Sequence, residues 1–294
     1  MSFEVPAPPA RLPRLEPLIL NLAPTGMVPT RAMSPHVPLR VEEIVKDVLA
    51  AAELGITTAH LHARDESGKP TPRKEIYARI IGGIREKLPD LVLCVSCSGR
   101  HFSDLKDRAE VLELEGDLKP DMASLTLSSL NFTREASMNA PHTVRELAQR
   151  MKDRGIVPEI EIFDLGMVNV LKTLQARDLV PAPAFVNLLL GNIATAQADL
   201  LEIGTLVSRL PEDSLWNLAG FGAAQLPVAA LAVGHAPGVR VGLEDNLWLD
   251  AERALPADNG GLVKRVHDLA AVLGRAIMSP TRLRELLDLP KRDA

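Results

Sequence analysis

Residues 41–62 combine an amphipathic helix with a short strand, and they read VEEIVKDVLAAAELGITTAHLH. The apolar residues of the first part recur with a helical period, at Val41, Ile44, Val45, Val48, Leu49 and Ala52. Gly55 then ends the helix, and the stretch Ile56-Thr57-Thr58 is apolar and β-branched without a helical period. The segment therefore predicts a helix at 41–54 followed by a strand at 57–61.

The same alternation continues along the chain. Short apolar runs predict strands at 18–23, 57–61, 91–95, 122–125, 157–162, 184–189, 215–218 and 239–241. Amphipathic stretches predict helices at 41–54, 74–87, 104–114, 141–154, 167–176, 198–210, 223–233 and 261–273. Eight strand–helix units in about 255 residues match the size of a (β/α)8 TIM barrel.

We therefore predict an α/β protein with one (β/α)8 TIM-barrel domain at 17–294. A proline-rich N-terminal arm at 1–16 precedes it, and a short C-terminal helix begins at Ser279-Pro280. A doubly wound open sheet is the alternative, because alternation alone does not prove closure. Against that alternative, no G-x-G-x-x-G follows the first strand, which also disfavours a nicotinamide-dependent dehydrogenase.

Composition excludes several classes of function. The net charge of the 294 residues is −5 and only 3% of them are aromatic, so the chain has neither the basic surface nor the stacking residues of a nucleic-acid-binding protein. No apolar run reaches membrane-spanning length. Cys94 and Cys97 form a single C-x-x-C, which we interpret as buried structural thiols in a reducing, cytoplasmic protein.

Two histidines at the end of the second predicted strand indicate a metal site. His60 and His62 lie two residues apart, so their side chains point to the same face of the strand. Two imidazoles placed in this way can hold one metal ion and leave positions open for a ligand. The alternative is a pair of polar residues between the core and a loop.

A second polar motif follows the last predicted strand, in residues 239–246, VRVGLEDN. Glu244 is the preferred third metal ligand, because two histidines and one glutamate form a familiar zinc set. Asp245 is better placed as a base, and Arg240 can pair with it. The alternatives are a helix-start acid at Glu244 and a structural salt bridge at Arg240.

Other polar residues collect at the same rim of the predicted barrel, where strand ends form the active site. Glu159 and Glu161 alternate with isoleucines and should face the interior, where Glu159 or Glu161 can bind the outer nitrogen of a ligand histidine. The candidate substrate-binding residues are Thr25, Ser96, Ser98, Thr126 and Asn187.

At these residues the chain resembles the β-keto acid cleavage enzyme family. The matching motifs run from about residue 18 to the C-terminus and occur in order. They are Thr25-Gly26 with Met33-Ser34-Pro35, residues 60–65 HLHARD, residues 119–125 KPDMASL with Asn131-Phe132, residues 158–164 PEIEIFD, and residues 239–246 VRVGLEDN.

The resemblance implies a zinc-bearing TIM barrel that is a homo-oligomer, a tetramer in this family. It exchanges acyl groups between a β-keto acid and acetyl-CoA, giving acetoacetate and a new acyl-CoA. The implied metal ligands are His60, His62 and Glu244, and another divalent transition metal could replace zinc. Arg240 and Asp245 are the implied catalytic pair, and Glu161 belongs to the site. The hydroxyls of Ser96 or Ser98 and Thr126 help to hold the substrate carboxylate.

One departure from the family concerns the substrate. Its prototype carries an acid after Thr-Gly that binds an amino group, whereas this chain has Met27-Val28-Pro29. We therefore expect a neutral or apolar β-keto acid. For the CoA phosphates the candidates are Arg100, His101, Lys106 and Arg108, with solvated surface charge as the alternative.

Two other functions remain open from the sequence. A metal-dependent TIM-barrel aldolase or hydrolase without CoA would share the same site, and so would a non-enzymatic binding protein.

Overall fold

Parallel strands form the centre of the protein and close into a barrel. A computed structural model describes residues 16–292. Its strands are β1 Ile19–Leu22, β2 Thr58–Leu61, β3 Val92–Val95, β4 Met122–Thr126, β5 Leu130–Asn131, β6 Ala136–Ser137, β7 Val157–Ile162, β8 Phe185–Leu190, β9 Leu215–Gly220 and β10 Gly238–Val241. The barrel order is β1-β2-β3-β4-β7-β8-β9-β10, and β1 pairs with β10 through Asn21 and Arg240. This closure confirms the TIM barrel and excludes the open sheet.

Helices connect successive strands, as the parallel topology requires. Their bounds are α1 Val41–Leu54, α2 Lys74–Arg85, α3 Leu105–Ala109, α4 Pro141–Asp153, α5 Leu165–Ala176, α6 Leu200–Arg209, α7 Gln225–His235, α8 Asn259–Val272 and α9 Pro280–Leu286. The short C-terminal helix is α9, and the Ser279 side chain caps it. The predicted arm at 1–16 lies outside the described residues except for Glu16.

Two local predictions differ from the structure. The stretch predicted as one helix at 104–114 is the short helix α3 followed by the 3-10 turn Glu110–Glu113. The antiparallel hairpin β5–β6 was not predicted, because strands of two residues show no periodicity. This hairpin lies after β4, next to the rim where the site forms.

The barrel interior is apolar at one end and polar at the other. Near the amino ends of the strands, apolar side chains pack with residues of α9; they are Ile19, Val92, Cys94, Met122, Phe185, Leu283 and Leu287. Arg284 of α9 donates hydrogen bonds to the buried Asp121 carboxylate at 2.8 and 3.1 Å, which fixes this helix across the base. The free cysteines Cys94 and Cys97 are both buried. The candidate ligand and catalytic residues, in contrast, lie toward the carboxyl ends of the strands.

Among residues 16–292, every helix is too short or too polar to cross a lipid bilayer.

Candidate active site

His60, His62 and Glu244 converge at the carboxyl ends of β2 and β10. The Nε2 atoms of the two histidines are 3.2 Å apart, and Nε2 of His62 is 3.1 Å from Oε1 of Glu244. One donor atom from each residue lies within 4.8 Å of the other two. The structure therefore brings Glu244 to the two predicted histidines, although it lies 182 positions after His62 in the sequence.

Close approach of two loops places Glu244. Its backbone N–H donates to Ala23 O at 3.1 Å, so the loop after β10 lies directly against the end of β1. A Cβ on Gly26 would lie 2.6 Å from Glu244 Cγ, and Gly26 has a φ of +65°. Only glycine therefore permits this contact without strain.

Glu159 supports His60 from inside the barrel, as predicted. Nδ1 of His60 hydrogen-bonds to Oε2 of Glu159, and Asn21 donates to Oε1 of the same carboxylate at 2.8 Å. Burial opposes the protonation of His60, but the charge of Glu159 outweighs it and raises the pKa of His60 to about 9. Burial would raise the pKa of Glu159, yet His60 lowers it to about 2. The contact orients Nε2 of His60 toward His62.

The second predicted pair, Arg240 and Asp245, forms a buried two-point ion pair. Nε and Nη2 of Arg240 donate to the Asp245 carboxylate at 2.9 and 3.0 Å, and Nη2 is also 2.9 Å from Oε1 of Glu244. Burial opposes the charge of Arg240, but the carboxylates outweigh it and raise its pKa. The Asp245 side chain is only 1% exposed. Asp245 therefore does not line the cavity itself but contacts Arg240, which does.

A cavity opens above these residues. It is lined by Met27, Val28, His62, Ser96, Ser98, Arg100, Thr126, Leu130, Phe132, Ser137, Glu161, Phe163, Leu189, Phe221, Arg240 and Glu244. Thr126 Oγ1 donates to Glu161 at 2.5 Å, and burial raises the pKa of Glu161. Three predicted substrate-binding hydroxyls, those of Ser96, Ser98 and Thr126, thus face the same space as the candidate ligands.

Two predicted substrate-binding residues do not line this cavity. Thr25 is fully buried beside Gly26, in the loop that contacts Glu244. Asn187 lies deeper in the barrel, where its Oδ1 accepts from Asn217 at 3.0 Å. Both positions place the side chain under the rim rather than in the open space.

Sequence reasoning missed an aromatic wall on the far side of the cavity. Phe132 and Phe163 meet edge to face with centroids 5.7 Å apart, and Phe163 stacks with Phe221 at 6.2 Å. Phe163 and Phe221 directly follow the barrel strands β7 and β9, and Phe132 directly follows the hairpin strand β5. Together they make up three of the six phenylalanines in the chain. The sequence signal that could have predicted this wall is the placement of these few aromatic residues directly after strands.

The four CoA candidates lie in different environments. Arg108 is buried and donates to Cys97 O, Met138 O and Asn139 Oδ1 at 2.8–3.0 Å, so its role is structural. His101 and Lys106 are exposed. Arg100 lies at the cavity, with its Cζ 3.5 Å above the Phe132 ring.

The donor set fits a divalent transition metal. Two imidazole nitrogens and one carboxylate form a three-ligand set with open positions. Oε2 of Glu244 is buried and has no hydrogen-bond partner among residues 16–292, which suits an atom that binds a cation. A second possible group is His60, Cys94 and Glu159. In that group the Glu159 carboxylate already accepts from Asn21, His60 and Cys94, so the first set is the better one.

Fold and site together define a TIM-barrel protein with a two-histidine, one-glutamate centre beside a buried arginine–carboxylate pair. The chain belongs to the beta-keto acid cleavage enzyme family, whose model matches residues 17–289. The family predicted from the sequence motifs is thereby confirmed.

Several characterised relatives cover almost the whole chain. It is 36% identical to the 3-keto-5-aminohexanoate cleavage enzyme of Fusobacterium nucleatum, over 94% of this chain and 100% of that protein. It is 34% identical to the 3-oxoadipate:acetyl-CoA acetyltransferase of Cupriavidus necator, over 95% of this chain and 97% of that protein. The solved structure of ObcA with oxaloacetate superposes with a TM-score of 0.79 at 21% identity, covering 88% of this chain and 68% of that one, which supports the fold.

Proposed function

We propose that the protein exchanges acyl groups between a β-keto acid and acetyl-CoA. The bond between C2 and C3 of the keto acid breaks, and its C3 acyl group becomes the new CoA thioester. The remaining two-carbon carboxylate unit joins the acetyl group to give acetoacetate. The observation that carries the proposal is the buried Arg240–Asp245 pair against Glu244, in a chain of this family.

The residues of the cavity have different roles in this reaction. Arg240 offers a fixed positive charge where negative charge develops on the reacting oxygen, and Asp245 holds its guanidinium in place. The hydroxyls of Ser96 and Ser98 are free to donate to the substrate carboxylate. Glu161 accepts the one hydroxyl proton of Thr126, so this threonine takes part by holding the Glu161 carboxylate at the wall of the cavity.

We assign His60, His62 and Glu244 as ligands of a zinc ion or another divalent transition metal. When bound, such an ion would polarise the keto oxygen and offset its developing charge. Glu159 keeps His60 in the orientation that this role needs.

The aromatic wall favours a keto acid whose substituent is uncharged. In the barrel order, β7 and β8 lie across from β1 and β2, so Phe163 and Leu189 face the histidine side of the mouth. Arg100 has its Nε 3.0 Å from Glu135, which balances its charge. In the described part of the chain, the wall thus presents no acid for an ammonium group, and its one cation already has a carboxylate partner in Glu135.

An isotope experiment tests the reaction. With acetyl-CoA labelled in the acetyl group, we expect label in C3 and C4 of acetoacetate and none in the new acyl-CoA. Products formed without acetyl-CoA would favour an aldolase or hydrolase, and no turnover of any β-keto acid would favour a binding protein.

A matched substrate panel tests the substituent. We expect 3-oxohexanoate to have a kcat/KM at least about tenfold above those of 3-keto-5-aminohexanoate and 3-oxoadipate, because a charged tail would be buried without a partner. The three acids share the reacting atoms and differ only in the tail. Preference for either charged acid would contradict the assignment while leaving the reaction itself intact.

The proposal includes a cytoplasmic homo-oligomer. Leu200 and Leu201 at the start of α6 are 74% and 79% exposed, and Ile193 is 73% exposed, which suits contact with another subunit. The buried free thiols of Cys94 and Cys97 suit a reducing compartment. Light scattering of the purified protein measures the subunit number, and a monomer would contradict this part.

A further inference from the structure

Asn259, the first residue of α8, is a fully buried amide that contacts three other segments. Its Oδ1 accepts from the backbone N–H of Leu243 at 2.9 Å. Its Nδ2 donates to Pro24 O at 3.0 Å and to the carboxylate of Asp47 on α1. Both donors and the acceptor of the amide are therefore in use.

The two backbone partners of Asn259 flank the candidate metal ligand. Leu243 directly precedes Glu244. Pro24 directly follows Ala23, whose carbonyl accepts from the Glu244 N–H, and lies two residues before Gly26, which packs against the Glu244 side chain. Asn259 thus joins the loop after β1 to the loop after β10 at the point where both contact Glu244.

Asp47 fixes the orientation of the Asn259 amide together with the Pro24 carbonyl and the Leu243 N–H. An ionised carboxylate only accepts hydrogen bonds, so Asp47 requires the Nδ2 end of Asn259 on its side. That orientation leaves Oδ1 toward the N–H of Leu243. An amide turned the other way would set two acceptors, Oδ1 and the Asp47 carboxylate, against each other.

We infer that Asn259 is a positioning residue for Glu244, and that Asp47 orients it. Asn259 does not touch the cavity; it fixes the backbone on both sides of the carboxylate that binds the cation. The inference rests on the metal site of the proposed function and extends it to residues outside that site.

Metal binding to the metal-free protein tests the inference. We expect Asn259→Ala to weaken zinc or cobalt binding at least about tenfold, in the range typical of residues that support metal ligands. The control is Thr57→Val. Thr57 is likewise fully buried and bridges Leu20 N and Met278 O at 3.0 and 2.8 Å, but at the amino ends of the strands. Thr57→Val should lower the melting temperature and leave the metal affinity unchanged.

The possible outcomes distinguish a role of Asn259 in positioning Glu244 from a role in protein stability alone. Metal affinity within about twofold of the original in a folded Asn259→Ala protein, with a lowered melting temperature, would overturn the inference. If that variant does not fold, Asp47→Ala decides, because Asp47 is only partly buried on α1. A severalfold weaker affinity supports the inference, and an unchanged one overturns it. If the original protein binds no divalent ion, the metal site itself fails, and the inference fails with it.

Discussion

Replacing Arg240 with methionine is expected to lower kcat/KM by about 10²–10³-fold, the usual cost of removing one donor aimed at developing charge. The guanidinium contacts Asp245 and Glu244 and lies 3.9 Å from Glu161. Methionine would leave these carboxylates buried without their cation. We therefore also expect the free energy of unfolding to fall by about 3–5 kcal/mol.

The control for this prediction is Arg240→Lys, which keeps the charge and loses the planar two-point contact with Asp245. It should recover most of the stability and little of the activity, because an ammonium group cannot donate from two fixed nitrogens. Denaturant titration and steady-state kinetics measure the two effects separately. An Arg240→Met protein with kcat/KM within tenfold of the original would contradict the assigned role of Arg240.

The barrel and the convergence of the three candidate ligands were predictable, because each depends on short-range patterns. A strand buried on both faces is an apolar run, and a covering helix shows one apolar stripe, so the eight units appear in the sequence. In a closed parallel barrel all the strand ends then meet at one rim. His60 after one strand and Glu244 after another must therefore lie near each other, whatever their separation along the chain.

Contacts made by loops and caps were not predictable in the same way. Asn259 meets Pro24 across 235 sequence positions, and nothing in the residues beside either one indicates the contact. The contact of Arg240 with Glu244 as well as Asp245 depends on the turn at Gly242, whose φ is +151°. The wall of Phe132, Phe163 and Phe221 depends on loops without periodicity. These features follow from packing, which the pattern of one element does not encode.

Glu244→Gln is expected to lower the affinity for a divalent ion by more than about 100-fold. Substitution of a residue that only hydrogen-bonds to a metal ligand typically lowers this affinity by about 10–100-fold. Glutamine keeps the size of the side chain and removes the charge that would neutralise the cation. The matched variant is Glu159→Gln, which changes the carboxylate behind His60 in the same way. Its effect should stay within that 10–100-fold range, because the three proposed ligand atoms remain.

The comparison of these two variants distinguishes the proposed ligand set from the second group, which contains His60, Cys94 and Glu159. If the ion bound there, Glu159→Gln would have the larger effect and Glu244→Gln the smaller. Competition with a chelator of known affinity gives both dissociation constants, and the metal content after dialysis gives the stoichiometry. Removing the ion from the original protein should abolish acyl exchange, and adding zinc or cobalt should restore it. A Glu244→Gln protein that retains one tightly bound ion per chain would contradict the assignment of Glu244, since a neutral amide oxygen is a much weaker ligand than a carboxylate for the same cation.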